Sequence, residues 1–349
     1  MTDRPRFGRI QQNNKSGSDQ MFRYVVPLAA ALAVAGCSGD SFDSSGAPPW
    51  FDDPDEPTDP VDPAPGSPEA IPTVLRHNVS QIVYDADSDT FQIAISSGDT
   101  TPELATWERA PALDVGDYQA YKMQEDERDR MFIGLARQSA DATVRAGVGG
   151  DGGLFNYYFS GATYERVGDF TPPPNDQPGP GTGQVSYAGT YAGLTNIRAP
   201  RPGEIMPITP GTPPQAIPGQ ASRVSGEVFI NANFADNAVE GTITDRVLLD
   251  HSFGLEDVVL IEAAITADGT FQGWVERPLD IDPNHTATGD YGGIFGGENA
   301  GNAAGIVALN RLYDGAGSEL TNASERGIFV LRQCGMLGSD SASCGNVAP

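Results

Sequence analysis

A chain of 349 residues that is 39% hydrophobic can bury one large core or two modest ones. With 42 glycines, 28 prolines and only 19% charged residues it favours strands and turns over helices, so an all-β fold is expected. Acidic residues outnumber basic ones 47 to 21, for a formal net charge of −26, and no basic stripe is present to displace counterions from a phosphate backbone, which argues against nucleic acid as a partner.

The first element in chain order is MFRYVVPLAAALAVAGC, residues 21–37, with Arg23 ahead of a short apolar run and small residues before Cys37. That run falls short of the roughly 20 residues a transmembrane helix needs. Residues 1–36 therefore read as a secretory signal peptide, with Met21 as the alternative start because the stretch before it is polar. The ending VAGC, Val34–Cys37, resembles the bacterial lipobox. This implies that Cys37 is lipidated and becomes the mature N-terminus, and Ser38 in the next position implies sorting to the outer membrane.

Residues 37–69 are acidic and proline-rich, and between Ser38 and Glu69 they contain no Lys or Arg. Such a segment buries too little surface to offset its ordering entropy and is expected to be a disordered tether, reaching up to ~100 Å at ~3 Å per residue.

Residues 70–169 form a smaller β-rich unit with three hairpin-like pairs, turning at Asp87–Asp89, near Glu127 and at Gly149–Gly153. Two motifs within it imitate ligand loops. GVGGDG, residues 147–152, matches GxGxxG but is followed by the strand-like LFNYYFSG instead of a helix, so a hairpin turn is expected. DADSD, residues 85–89, opens like an EF-hand loop, yet Thr90 and Ser96 stand where Gly and Glu are needed, so it too reads as a turn.

A Pro/Gly-rich linker, residues 170–184, leads into a larger unit, 185–333, with eight strands: roughly Val185–Ile197, Arg223–Phe234, Ala238–Arg246, Glu256–Ala267, Thr270–Glu276, Asp290–Gly296, Ala303–Leu309 and Ser324–Gln333. In the second, Val224, Gly226, Val228, Ile230, Ala232 and Phe234 share one face and polar residues take the other. Eight such strands suit an antiparallel up-and-down β-barrel. The connections after strands 1, 3, 5 and 7 are long and the others tight, so the long loops gather at one mouth, where function is expected. A membrane-spanning barrel shares this asymmetry, but several strands are shorter than the roughly 9–11 residues needed to cross. The tail, 334–349, carries Cys334 and Cys344, which in an exported chain are expected to form a disulfide.

VSYAGTYAGLTNI, GEVFINANFADNAVEGTITDR, VVLIEAAITADGTFQGWVE and GGIFGGENAGNAAGIVAL resemble, in order, the barrel of transferrin-binding protein B-like surface lipoproteins. Phe234, Val239, Gly241, Ile243, Phe271, Gly273, Phe295 and Gly296 fall on that family's pattern, while Gly297 stands where the family often has Pro. The smaller unit loosely resembles the strand-rich handle beside such barrels. The resemblance implies an outer-membrane lipoprotein at the cell surface, delivered by a surface-lipoprotein translocator. It also implies binding of a host or environmental protein, or of iron or haem, through the loops at one barrel end; the ligand stays open.

Within those loops, His251 and His285, with Met206 and Tyr313, are residue types that ligate haem iron or transition metals, making them candidate metal or haem contacts. The loop from Arg198 to Ser222 offers Arg198, Arg201, Ile205, Met206 and Ile208 as a mixed basic and apolar contact surface, and its prolines lower the ordering cost of binding. Two other classes compete: a lipocalin-like carrier of a small apolar ligand, against which the large inward Val, Ile and Phe side chains argue, and an adhesin or structural envelope lipoprotein. An enzyme is not expected. There is no GxSxG, and Glu227, Glu240, Glu262 and Glu276 show no pairing in sequence.

Overall fold

The computed structural model describes residues 70–96, 105–174, 183–339 and 342–346. The expected signal peptide, the expected lipidation site Cys37 and the expected acidic tether lie outside the described residues.

A first sheet contains seven strands, each antiparallel to the next: β1 (Val79–Asp85), β2 (Thr90–Ile95), β3 (Ala105–Arg109), β4 (Gln119–Met123), β5 (Phe132–Gln138), β6 (Val144–Asp151) and β7 (Ser160–Arg166). A single helical turn, α1 (Thr73–Arg76), precedes β1. His77 then bridges to Gly161 of β7 and sets its Nδ1 3.1 Å from the Ser160 carbonyl, so the sheet curls until its end strands nearly meet. The Asp-rich turn after β1 is satisfied internally, because the Asp85 carboxylate accepts the N–H groups of Asp87 and Ser88.

Two details differ from the sequence expectation. The sheet has a seventh strand, β3, which pairs with its neighbours over only a few residues. The GVGGDG segment belongs mostly to β6, and the turn begins only at Gly152. Glycine suits that strand because the core crowds its face: a Cβ on Gly149 would stand 2.5 Å from the Ile93 Cδ1. Beneath it, Phe91 stacks on Tyr121 at 4.8 Å and meets Trp107 edge-on at 5.3 Å.

The second sheet is an eight-stranded closed barrel. Its strands are β8 (Gln184–Arg198), β9 (Ala221–Asn233), β10 (Ala238–Leu248), the two-residue β11 (Phe253–Gly254) as an appendage, β12 (Val258–Ala264), β13 (Thr270–Glu276), β14 (Ala287–Gly296), β15 (Asn302–Leu309), the short loop pair β16 (Leu312–Tyr313) and β17 (Glu319–Leu320), and β18 (Glu325–Gln333). The wall runs β10-β12-β13-β14-β15-β18-β8-β9 and closes where β9 pairs back onto β10. The alternation legible in β9 is the inside–outside alternation of this wall. The stretch 289–309 is β14, a tight turn and β15, with Gly297 at φ +76° where the turn needs the left-handed region.

The interior is filled. Tyr187, Tyr191, Phe271, Tyr291, Phe295 and Phe329 are fully or almost fully buried, and Phe295 meets Phe234 and Phe271 at 4.9 and 5.0 Å. Small residues face these rings: a Cβ on Gly327 would collide with the Tyr191 hydroxyl, and one on Gly305 with the Phe329 ring. A barrel packed in this way argues against the small apolar cargo of a lipocalin-like carrier.

The handle sheet covers part of the barrel's outer wall. β15 is buried on both faces, with Ala303 and Val307 in the barrel core, and with Ala304, Ile306 and Ala308 packed against Ile133, Leu135, Ala146, Val148 and Ala162 of the handle. One handle side chain completes the barrel's own hydrogen bonding. The β8–β18 ladder skips between Phe329↔Tyr191 and Arg332↔Ala188. Into that gap Tyr118 donates its hydroxyl to the Thr190 carbonyl at 2.8 Å and accepts the Val330 N–H at 3.0 Å, while Arg137 reaches the Val330 carbonyl. By contrast the outer wall over β9, β10 and β12 carries Glu227, Asn231, Glu240 and Glu262, which is no lipid-facing band. No helix among the described residues is long and apolar enough to cross a membrane. Cys334 and Cys344 are disulfide-bonded beyond β18, and the Cys334 N–H donates to the Ser186 carbonyl.

Asp141, in the handle's β5–β6 turn, latches onto the barrel. It accepts both contacts of the Asn302 amide at 2.9 Å, the Ser139 and Thr143 hydroxyls at 2.8 Å, and Arg332 at 3.0 Å. Burial alone would raise its carboxyl, but the hydrogen bonds from Asn302, Ser139 and Thr143 outweigh that and hold it well below the ordinary value of 3.8. A depressed carboxyl stabilises the fold fully above its unfolded value, and that contribution is lost as pH falls through the folded value. Urea unfolding midpoints should therefore drop on acidification from about pH 5 to about pH 2, and drop less in Asp141→Asn, whose side chain no longer titrates.

Candidate functional site

The long connections lie at one end of the barrel, and their contacts define what that end can do. The loops after β10 and β15 are tied together: Leu255 bridges to Asp314, the Glu256 N–H donates to the Tyr313 carbonyl at 3.0 Å, and Gly315 donates to Gly254. Beneath them a chain of charges closes the barrel mouth. Glu325 points inward from β18 and takes the Tyr191 hydroxyl on one oxygen at 2.5 Å and Arg246 on the other at 2.7 Å. Arg246 also donates to the Glu256 carbonyl at 2.6 Å, and the Glu256 carboxylate holds Arg277 in a two-point pair at 2.6 and 2.7 Å. Arg277 in turn lies 3.9 Å over the Tyr313 ring. Both members of the Arg246–Glu325 pair are almost wholly buried, and burial and Glu325 push the Tyr191 hydroxyl pKa well up, so this network is a fixed plug.

The loop after β8 behaves differently from the others. Instead of lining the mouth it crosses onto the handle as a strap, residues 199–220. Lys122 pairs with Glu204 at 2.6 Å, the Met206 N–H donates to Gln124, and Thr209 donates its N–H and hydroxyl to Glu127. Its far end lies backbone to backbone on the handle's tip loop, 152–159, through Gly152 N–H to Gly219 O, Gly219 N–H to Gly153 O, and Phe155 N–H to Gln215 O. The tip loop is itself pinned. Arg130 pairs with buried Asp151 at 2.5 Å, donates to the Leu154 and Tyr157 carbonyls and lies 4.5 Å over Phe159, and Tyr158 hydrogen-bonds Ser324 beside β18. Strap and tip loop together hold outward Phe155, Tyr157 and Met206, respectively 55%, 69% and 40% exposed. The tip-loop aromatics were not among the residues expected to bind. Their signal in sequence was the aromatic density of LFNYYF, which a strand reading absorbs.

The residues expected at the mouth are distributed as follows. Arg198 spends its guanidinium on the Gly152 and Gly153 carbonyls, fastening strap to tip loop. Arg201 and Met206 are exposed on the strap. His251 sits against the Arg198 carbonyl at 3.0 Å and beside Phe253, whereas His285 lies 3.0 Å from Glu276 at the end of β13. Tyr313 is under Arg277. The structure thus brings His251 to Arg198, while His285 and Tyr313 meet Glu276 and Arg277 instead. Among the described residues no group of three or more His, Cys, Asp or Glu has a geometry that could hold a metal ion.

No protein-family model matches the sequence, and no curated protein does. Among solved structures the chain is similar to a transferrin binding protein B double mutant from Haemophilus parasuis Hp5, with 11% identity, 71% of this chain and 43% of that chain covered, and a TM-score of 0.35. It is likewise similar to the isotype 1 transferrin binding protein B from serogroup B Neisseria meningitidis (14% identity, 70% and 41% covered, TM-score 0.29). A structure described as a surface lipoprotein is matched over 97% of its length and 73% of this chain, at 14% identity and a TM-score of 0.31. The chain thus spans about two fifths of the length of the two transferrin binding proteins. All three are distant likenesses.

Proposed function

We propose that this chain is a lipid-anchored protein of the outer-membrane surface that binds a protein partner through the strap and the tip loop. The observation that carries this is that Phe155, Tyr157 and Met206 stand exposed on two loops locked to each other, beside a barrel packed with aromatic rings. Aromatic side chains held on a rigid frame lose little entropy on binding, and such residues dominate interface energies. The lipobox-like VAGC before Cys37 supports the anchor. The motifs resembling transferrin-binding protein B-like lipoproteins support a partner linked to iron acquisition. The reading assigns binding and no catalysis.

Immobilised full chain exposed to proteins from iron-limited and iron-replete growth media tests this reading. Capture is expected to rise under limitation and to fall about tenfold or more in Phe155→Ser/Tyr157→Ser, since each interface aromatic is worth on the order of 1–2 kcal/mol. Equal capture by that variant would contradict the assignment of the surface, and capture indifferent to iron would contradict the iron-linked partner.

A further inference from the structure

The handle covers one side of the barrel, and the described residues leave the outer wall over β10, β12 and β13 uncovered. On it stands Trp274, 65% exposed, whereas Trp107 is buried in the handle core. Its cross-strand neighbour on β14 is Asp290. On β12 the ladder with β13 runs Val259↔Glu276, Leu260↔Val275 and ends there, one residue short of Ile261. The backbone under the indole is fixed from inside, because Tyr291 reaches through the wall to donate its hydroxyl to the Ile261 carbonyl at 2.6 Å. Burial raises the pKa of that same hydroxyl, and exposed Glu240 and Glu262 add to the rise. Past the end of β13, Leu279 and Ile281 are also 59% and 47% exposed.

Charge decides what can cover such a wall. Among the described residues Glu240 and Glu262 have no ion-pair partner and Asp290 feels only the more distant Arg326, although carboxylates elsewhere on the fold are paired directly with arginines. An indole face attracts cations through its quadrupole, and flanking carboxylates strengthen that attraction. The chain's own segment Ser38–Glu69 has no Lys or Arg, and a second copy brings a net charge of −26, so both would be repelled. We propose that this wall is a second interaction surface, separate from the strap and tip loop, that receives an arginine- or lysine-bearing segment of another protein with one cation seated over Trp274.

Titrating the full chain with hexa-arginine at about 0.15 M salt, where unspecific charge attraction is largely screened, tests the proposal, with hexa-glutamate as control. The indole N–H resonance missing from Trp274→Phe identifies Trp274. Hexa-arginine should move it and leave the Trp107 signal in place, and hexa-glutamate should move neither. The apparent Kd should weaken about threefold or more in Trp274→Ala, and again in Glu240→Gln/Glu262→Gln, with wild-type urea midpoints in both because these side chains are exposed. A Trp274 resonance unmoved at saturation, or unchanged affinity in Trp274→Ala, would overturn it. So would a resonance that shifts with protein concentration alone and a dimer that Trp274→Ala abolishes, since the occupant would then be a second copy.

Discussion

Glu325→Ala is expected to lower the free energy of unfolding by about 3–5 kcal/mol, the usual loss when one member of a buried ion pair is removed. The cost is not that of one contact. Arg246 stays inside the barrel with only the Glu256 carbonyl as partner, its Nε already lacks one, and the Tyr191 hydroxyl loses its acceptor. Urea unfolding at neutral pH reads the loss directly. The double variant Arg246→Met/Glu325→Leu removes both charges and should recover much of the stability, because an apolar pair of similar volume avoids the desolvation that the ion pair must overcome. If Glu325→Ala unfolds at the wild-type midpoint, the plug is solvated and the mouth is open.

Tyr118→Phe should cost about 2–4 kcal/mol, an unusually large effect for one hydroxyl. Tyr118 belongs to the handle, yet its hydroxyl takes the place of a rung between β8 and β18, serving Thr190 O and Val330 N at once. Removing it strands two buried main-chain groups, each worth roughly 1–3 kcal/mol when left unpaired. The ring still fills its space, so no cavity obscures the result. Hydrogen exchange should show the Val330 amide losing protection before the rest of β18. A change below about 0.5 kcal/mol would mean that handle and barrel are merely adjacent.

Much of the barrel was legible because its strands alternate strictly: in β9 every second residue from Val224 to Ala232 is buried. The plug was not, since Arg246 faces inward only through a bulge. Val239, Gly241 and Ile243 set an odd-numbered inner face, then the β9–β10 register shifts between Thr244 and Val247, with Asp245 at φ +51°, and the even-numbered Arg246 turns in. An alternating pattern alone places it outside. The strap was misplaced at the mouth for another reason. Its anchors, Lys122 with Glu204 and Glu127 with Thr209, are 82 residues apart, and nothing local in a proline-rich loop marks a partner at that distance. Likewise the glycines of β6 read as a turn until Ile93 and Trp107 are seen to pack where side chains would stand. His251 and His285 both fall in long loops, but one meets the Arg198 carbonyl and the other Glu276, a difference no local pattern marks.

Partner binding through the strap and tip loop would confine contacts to that end of the barrel. A photoreactive residue placed singly at Tyr157, Met206, Asp236 or Ala267, the last two in the tight turns at the opposite end, tests it on cells displaying the full chain. Adducts of one discrete mass are predicted at Tyr157 and Met206, with none at Asp236 or Ala267. Adducts confined to Asp236 or Ala267 would contradict it.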